Sequence, residues 1–98
     1  MKTEVVIGAP VKQFVKSLAP EPRRALTRAI KGLAKDEGDT KALEGKLSGW
    51  HRLRVSGYRV LYKESATGGV RFINCVFANY RSVVYEMFAQ LLADQLVP

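Results

Sequence analysis

The sequence holds one cysteine and one histidine in 98 residues, Cys75 and His51. A lone cysteine closes no intramolecular disulfide, and the two residues together make no ligand cluster for zinc. A nucleophilic triad also lacks its parts, because His51 has no evident partners. Acid is scarce where base is plentiful: between Lys46 and Arg81 the sole carboxylate is Glu64, so the basic half lacks the paired carboxylates of metal-dependent phosphoryl chemistry. There is no glycine-rich phosphate loop, no internal repeat and no low-complexity tract. No apolar run reaches the roughly 18–20 residues of a bilayer span, and the apolar part of MKTEVVIGAP is too short for a signal peptide. The expectation is a soluble, cytoplasmic protein that needs no cofactor or metal and is stabilised by packing alone.

The bulk composition is that of a folding chain. Hydrophobic residues are 47% and charged residues 26%, close to globular averages, and the length suits a single domain, residues 1–98. The net charge of +7 is unevenly spread. Residues 1–45 carry nine bases and six acids, whereas Lys46, Arg52, Arg54, Arg59, Lys63, Arg71 and Arg81 face one acid. A basic stripe confined to one half marks a site for nucleic acid or an acidic partner. Its richness in arginine favours forked contacts to phosphate or carboxylate.

Periodicity divides the chain into a helical and a stranded half. Glu4–Ile7 reads as an edge strand ended by Gly8 and Pro10. Val11, Phe14, Val15 and Leu18 recur at helical spacing. Pro22 opens a second helix with the stripe Leu26, Ala29, Ile30, Leu33 and Ala34, and Gly38 ends it. Residues 39–49 read as a loop. In 50–55, Leu53 and Val55 alternate with Arg52 and Arg54 at the period of a half-buried strand. Ser56-Gly57 turns the chain into a strand over 58–63, and Gly68-Gly69 closes a second hairpin into a buried strand over 70–78. Ser82 is placed to cap a last helix packed through Val84, Met87, Phe88 and Leu91. The predicted fold is α+β: a small antiparallel sheet of about four strands, with an N-terminal helical hairpin on one face and a C-terminal helix. The functional surface then belongs to the sheet face or edge that the hairpin leaves open.

What remains for chemistry is arginine and tyrosine. Such a set can grip a phosphate backbone, stack on unpaired bases and stabilise a crowded phosphorane. Some of it has simpler uses: Tyr58 and Tyr62 share a face with Val60 and read as packing, Trp50 as a cover for the core edge, and Cys75 as a small buried hydrophobe. Arg23, Arg24 and Arg28 read as a solvated helix face, and Arg71 as strand-edge charge.

The stretch Leu47-Ser48-Gly49-Trp50-His51-Arg52-Leu53-Arg54-Val55-Ser56-Gly57-Tyr58-Arg59-Val60-Leu61-Tyr62, followed by Arg81-Ser82-Val83-Val84-Tyr85-Glu86, resembles the RelE/ParE superfamily of toxins from type II toxin–antitoxin pairs, in its RelE-like branch. The resemblance implies a ribosome-dependent mRNA endoribonuclease that enters the ribosomal A site, inhibits translation and is silenced by a cognate antitoxin. It also implies a toxin–antitoxin complex that binds operator DNA through the antitoxin. By motif position, Arg59 corresponds to the residue that contacts the scissile phosphate, and Tyr85 to the base or orienting group for the attacking 2′-hydroxyl. Arg52 and Arg54 correspond to residues that stabilise the developing charge. Lys46, Lys63 and His51 complete the candidate RNA contacts.

Two positions depart from the family pattern. Asn79 stands where a second family arginine lies, two residues before Arg81, leaving Arg81 as the candidate for that role. Arg52 replaces a lysine and gives up a proton far less readily, so general-acid work falls to His51 or to a ribosomal group. The implied reaction is metal-free: the 2′-hydroxyl attacks in line, leaving a 2′,3′-cyclic phosphate and a 5′-hydroxyl. A tyrosine acting as base near neutrality needs guanidinium groups beside it. Two other readings remain at this point: a ParE-like inhibitor of DNA gyrase, and a decayed toxin that only binds its antitoxin.

Overall fold

A computed structural model describes residues 2–94. The chain runs β1 (Lys2–Ile7), α1 (Ala9–Ser17), α2 (Pro20–Gly32), β2 (Asp39–Ala42), β3 (His51–Val55), β4 (Tyr58–Thr67), β5 (Val70–Tyr80) and α3 (Val84–Ala93), with short 3-10 turns at Leu33–Lys35 and Gly45–Leu47. The strands form one sheet in the order β1-β5-β4-β3-β2. The three pairings from β2 to β5 are antiparallel and β1 lies parallel to β5, so the sheet is mixed and has five strands rather than about four.

The helical hairpin forms where the apolar spacing demands it. Val11 and Leu18 from the α1 segment and Leu26 and Ile30 from α2 are buried with Leu53, Val60, Tyr62, Ile73 and Cys75 of the sheet. Pro20, two residues before the expected start, takes the first helical position of α2, where a missing N–H costs nothing. Arg23 folds back so that its Nη2 donates to the carbonyls of Leu18 at 2.9 Å and Lys16 at 3.3 Å, satisfying groups at the end of α1. Helix α2 ends at Gly32 rather than Gly38. Gly38 instead lies at φ +106° in the following turn, where a Cβ would come within 2.9 Å of Leu53 Cδ1.

Strand β2 replaces part of the expected loop. All four of its residues are exposed, so it has none of the alternation by which a strand shows itself in sequence. Backbone pairing to β3 holds it, with Asp39 opposite Arg54 and Lys41 opposite Arg52.

The other sheet face is partly covered. Leu47, Trp50, Leu61, Phe77, Val84 and Phe88 form a second buried cluster under α3. A bulge lets β5 contribute two neighbours to it: Leu61 faces Phe77, Tyr62 faces Cys75, and the extra residue Val76 packs on the cluster beside Phe77. Val83, not Ser82, precedes α3, and no side chain caps it. Met87 is exposed, leaving Val84 and Phe88 as the deeply buried anchors. The sequence tail Leu96-Val97-Pro98 lies outside the described residues.

Cys75 is the buried hydrophobe the sequence suggested. Burial pushes its thiol from 9.0 up to about 12. Above pH 9 the unfolded chain sheds this proton while the folded chain keeps it, so the thiol's contribution is full below that pH and declines by about 1.4 kcal/mol per unit towards pH 12. Urea unfolding of wild type and Cys75→Val at about pH 8 and 10.5 should show wild type losing about 2 kcal/mol relative to the variant. Parallel pH dependences would contradict a shielded thiol.

Candidate active site

Strand alternation sorts the charged residues by face. Arg52 and Arg54 of β3 share a face with Arg59 and Lys63 of β4, because Arg52 pairs with Leu61 and Arg54 pairs with Arg59. Arg59 in turn stands opposite Asn79 of β5. Like charges directly opposite each other cost stability. At Arg54 and Arg59 the fold accepts that cost, and among the described residues no acid pairs with either.

The Ser56-Gly57 turn organises this end of the sheet. Arg59 is 8% exposed, and its Nη1 donates to the carbonyls of Tyr58 at 2.8 Å and Ser56 at 3.0 Å. Ser56 sits at φ +54°, a left-handed conformation that few non-glycine residues adopt. The next carbonyl, that of Gly57, accepts the backbone N–H of Arg81 at 2.9 Å. One two-residue turn therefore anchors the Arg59 guanidinium and the Arg81 main chain. Only Nη1 of Arg59 is engaged among the described residues.

Three residues after Arg81 begins α3, with Tyr85 in its first turn, half-buried against the Trp50–Phe88 cluster. Asn79 ties β5 to that helix: its Nδ2 lies 3.5 Å from Met87 Sδ, and its Oδ1 accepts the Tyr80 N–H at 2.8 Å. Arg54, Arg59, the Arg81 main chain and the Tyr85 position are thus gathered by backbone placement around one turn and one helix start. Arginines placed so offer forked cationic donors, which suit an oxyanion or phosphate.

The remaining candidates divide. Arg52 is committed to β2, its Nη1 donating to Asp39 Oδ1 at 3.2 Å and to the Asp39 carbonyl at 3.0 Å. Lys63 lies 5.1 Å above the Trp50 ring, on the same face as the arginines. Lys46 is exposed on the 3-10 turn whose Leu47 is buried under α3. His51 is not part of the gathering, because it points to the helical-hairpin face with Leu53 and Val55. There it stacks on Tyr62, centroids 5.2 Å apart and planes 16° apart. They line a hollow of about 190 Å³ with Asp36, Glu37, Glu64 and Arg71.

In that hollow Arg71 bonds Asp36 at 2.9 Å and also Glu64, and the two carboxylates raise its affinity for its proton further. Burial raises the Tyr62 phenol above its ordinary value, with a hydrogen bond to Thr40 opposing. Arg71 is therefore neutralised and belongs to neither sheet-face cluster. Asp36 and Asp39, which neutralise two of the stripe's arginines, lie outside the basic half in sequence. Their contribution could not be read from local composition.

No protein-family model matches the sequence, and no curated protein does. Solved structures do. A chain of the RelBE toxin–antitoxin complex of Mycobacterium tuberculosis superposes with a TM-score of 0.67 at 20% identity, covering 83% of this chain and 100% of that one. The YoeB/ParE toxin of Agrobacterium tumefaciens gives 0.64 at 16%, covering 83% and 99%. The archaeal RelE–RelB complex of Pyrococcus horikoshii gives 0.61 at 25%, covering 83% and 97%. The chain has the fold of the RelE/YoeB/ParE toxins.

Proposed function

We propose that this chain is the toxin of a type II toxin–antitoxin pair and acts in the cytoplasm as a ribosome-dependent endoribonuclease on mRNA in the A site. The observation that carries the reading is the unneutralised Arg54–Arg59 pair, held beside Arg81 and the start of α3. Two arginines paired across strands with no acid beside them among the described residues favour an anion as their partner, and a phosphodiester fits forked donors. In this reading Arg59 grips the scissile phosphate and Arg54 and Arg81 stabilise the charge that develops on it. Tyr85 orients or deprotonates the 2′-hydroxyl. The hydroxyl oxygen attacks phosphorus, the P–O5′ bond breaks, and a 2′,3′-cyclic phosphate and a 5′-hydroxyl result. Lys46, Lys63 and Arg52 border the path of the strand, while His51, on the other face, has no part. The protonation of the leaving 5′-oxygen falls to a group of the ribosome. Between bouts of activity a cognate antitoxin covers the site, and the complex binds operator DNA through that antitoxin.

Expression with a translated reporter mRNA, cleavage mapping and a parallel gyrase supercoiling assay test the proposal. Cuts that require ribosomes, and that fall by about 100-fold in Tyr85→Phe with the melting temperature unchanged, are the expected result. Inhibited supercoiling without cuts would instead establish a gyrase poison. Neither effect would leave a binding domain without this catalysis.

A further inference from the structure

Tyr80 has no use yet in either the core or the arginine cluster. It closes the β4–β5 ladder opposite Tyr58, and alternation turns both rings to the helical-hairpin face. Phe14 of α1 meets Tyr58 at a centroid distance of 5.9 Å and Tyr80 at 5.4 Å, and the two tyrosine rings lie 5.5 Å apart. Phe14 and Tyr58 are partly buried against the core. Tyr80 stands outside it, 50% exposed. Its ring contacts are edge-on at 87° and tilted at 41°, so neither is the parallel stack that a planar partner would make.

We propose that Tyr80 is a stacking platform for the unpaired nucleobase next to the phosphodiester gripped at Arg59. The choice of RNA rests on the function proposed above; the place of the platform rests on the fold. Along β5, Tyr80 sits between Asn79, which pairs with Arg59, and Arg81, whose N–H bonds the Gly57 carbonyl. The Tyr58–Tyr80 pair is the last of its ladder, so the aromatic face and the arginine face meet at this rim with no further strand pair between them. The base and the phosphate of a nucleotide leave its sugar in different directions, and here one can meet the ring while the other meets the guanidinium. A purely cationic grip lets the phosphate chain slide, whereas in-line attack needs one phosphodiester kept in place. A splayed base stacked on a ring supplies that hold. A protein helix or strand would instead anchor through several apolar side chains at regular spacing. Tyr80 has no such company among the exposed large hydrophobic residues. Met87 reaches Asn79 on the arginine face, Val6 lines a hollow with Asn74 and Val76 on the α3 side, and Val83 leads into α3.

The test uses the full chain and a short unstructured RNA without ribosomes, where the proposed cleavage is off. The RNA carries 2-aminopurine, whose fluorescence is quenched by stacking, or an abasic ribose at each position in turn. Tyr80→Leu keeps bulk against Phe14 and Tyr58, and thermal melting checks its folding. The expected result is RNA affinity weakened by about 10-fold to 100-fold and loss of the quench, with both restored in Tyr80→Phe. At one position the abasic ribose should weaken wild type by a similar factor and leave Tyr80→Leu unchanged. With ribosome-bound mRNA, Tyr80→Leu should raise the protein concentration at half-maximal rate more than it lowers the maximal rate. Equal RNA affinities of the two proteins, or abasic positions that weaken both alike, would overturn the inference. So would a dimer in sedimentation that Tyr80→Leu dissociates while its RNA binding stays at the wild-type level, which would assign the ring to a second copy of the chain. Wild-type protein that quenches through Tyr80 yet never cuts mRNA would sink the proposed function and leave the platform standing. Cleavage and RNA affinity both unchanged in Tyr80→Leu would do the reverse.

Discussion

Replacing Arg59 with alanine is expected to slow single-turnover cleavage of ribosome-bound mRNA by about 100-fold to 1,000-fold, the loss typical of one well-aimed donor to a developing oxyanion. The size follows from how the guanidinium is held. It is nearly buried and, among the described residues, has no carboxylate to neutralise it. Its Nη1 is fixed by the Ser56 and Tyr58 carbonyls, so the group is oriented before substrate arrives. Arg59→Lys keeps a charge but loses the fork, and should recover only part of the rate. Removing the side chain also frees two carbonyls, at about 1 to 3 kcal/mol if they stay dry. Melting curves recorded beside the rates separate that effect from catalysis. Alanine at this position with wild-type cleavage would remove Arg59 from the mechanism.

Phe88→Ala should have the largest effect on stability, about 3 to 5 kcal/mol. Phe88 is fully buried, edge-on to Trp50 at 4.8 Å and stacked near Phe77 at 5.9 Å. Apart from Val84 it is the only residue by which α3 is deeply anchored. A domain of this size holds about 5 to 15 kcal/mol in all, so the variant should unfold at much lower urea. Because α3 carries Tyr85, catalysis should fall further than the folded fraction does. A change below about 1 kcal/mol would mean that α3 is not fixed through this side chain.

The β3–β4 hairpin was legible because its side chains alternate and its turn residues are marked. So were both N-terminal helices, whose stripes face the sheet. Strand β2 was not, since four exposed side chains have no inward member to betray a period. Composition overcounted the basic site for a related reason. Arg71 meets Glu64 within the basic segment, but the other acids that meet Arg52 and Arg71 are Asp39 and Asp36, close in space and outside that segment. His51 is different: alternation puts it in step with Leu53 and Val55, not with Arg52 and Arg54, so its separation from the arginines is written in the strand period. The bridge from Asn79 to Met87 had no signal at all, because it joins a strand to an exposed helical position that spacing assigns to packing.

The parallel edge strand sets the order in which the chain can become whole. Lys2 pairs with Val70 and Ile7 with Cys75, so about two thirds of the sequence must be looped before the first strand finds its place. Closing a long loop precedes its reward, which makes such pairings slow. The hairpin bearing Arg54 and Arg59 needs only neighbours in sequence and can form early. β1 precedes β5 in the chain and has no strand partner until β5 exists, with Val5 and Ile7 unburied beside the charges of Lys2 and Glu4, which discourage strand-to-strand sticking. The arginine pair can therefore be present on a growing chain well before Arg81 and Tyr85 join it, and all four positions come together only after β5 and α3 have followed.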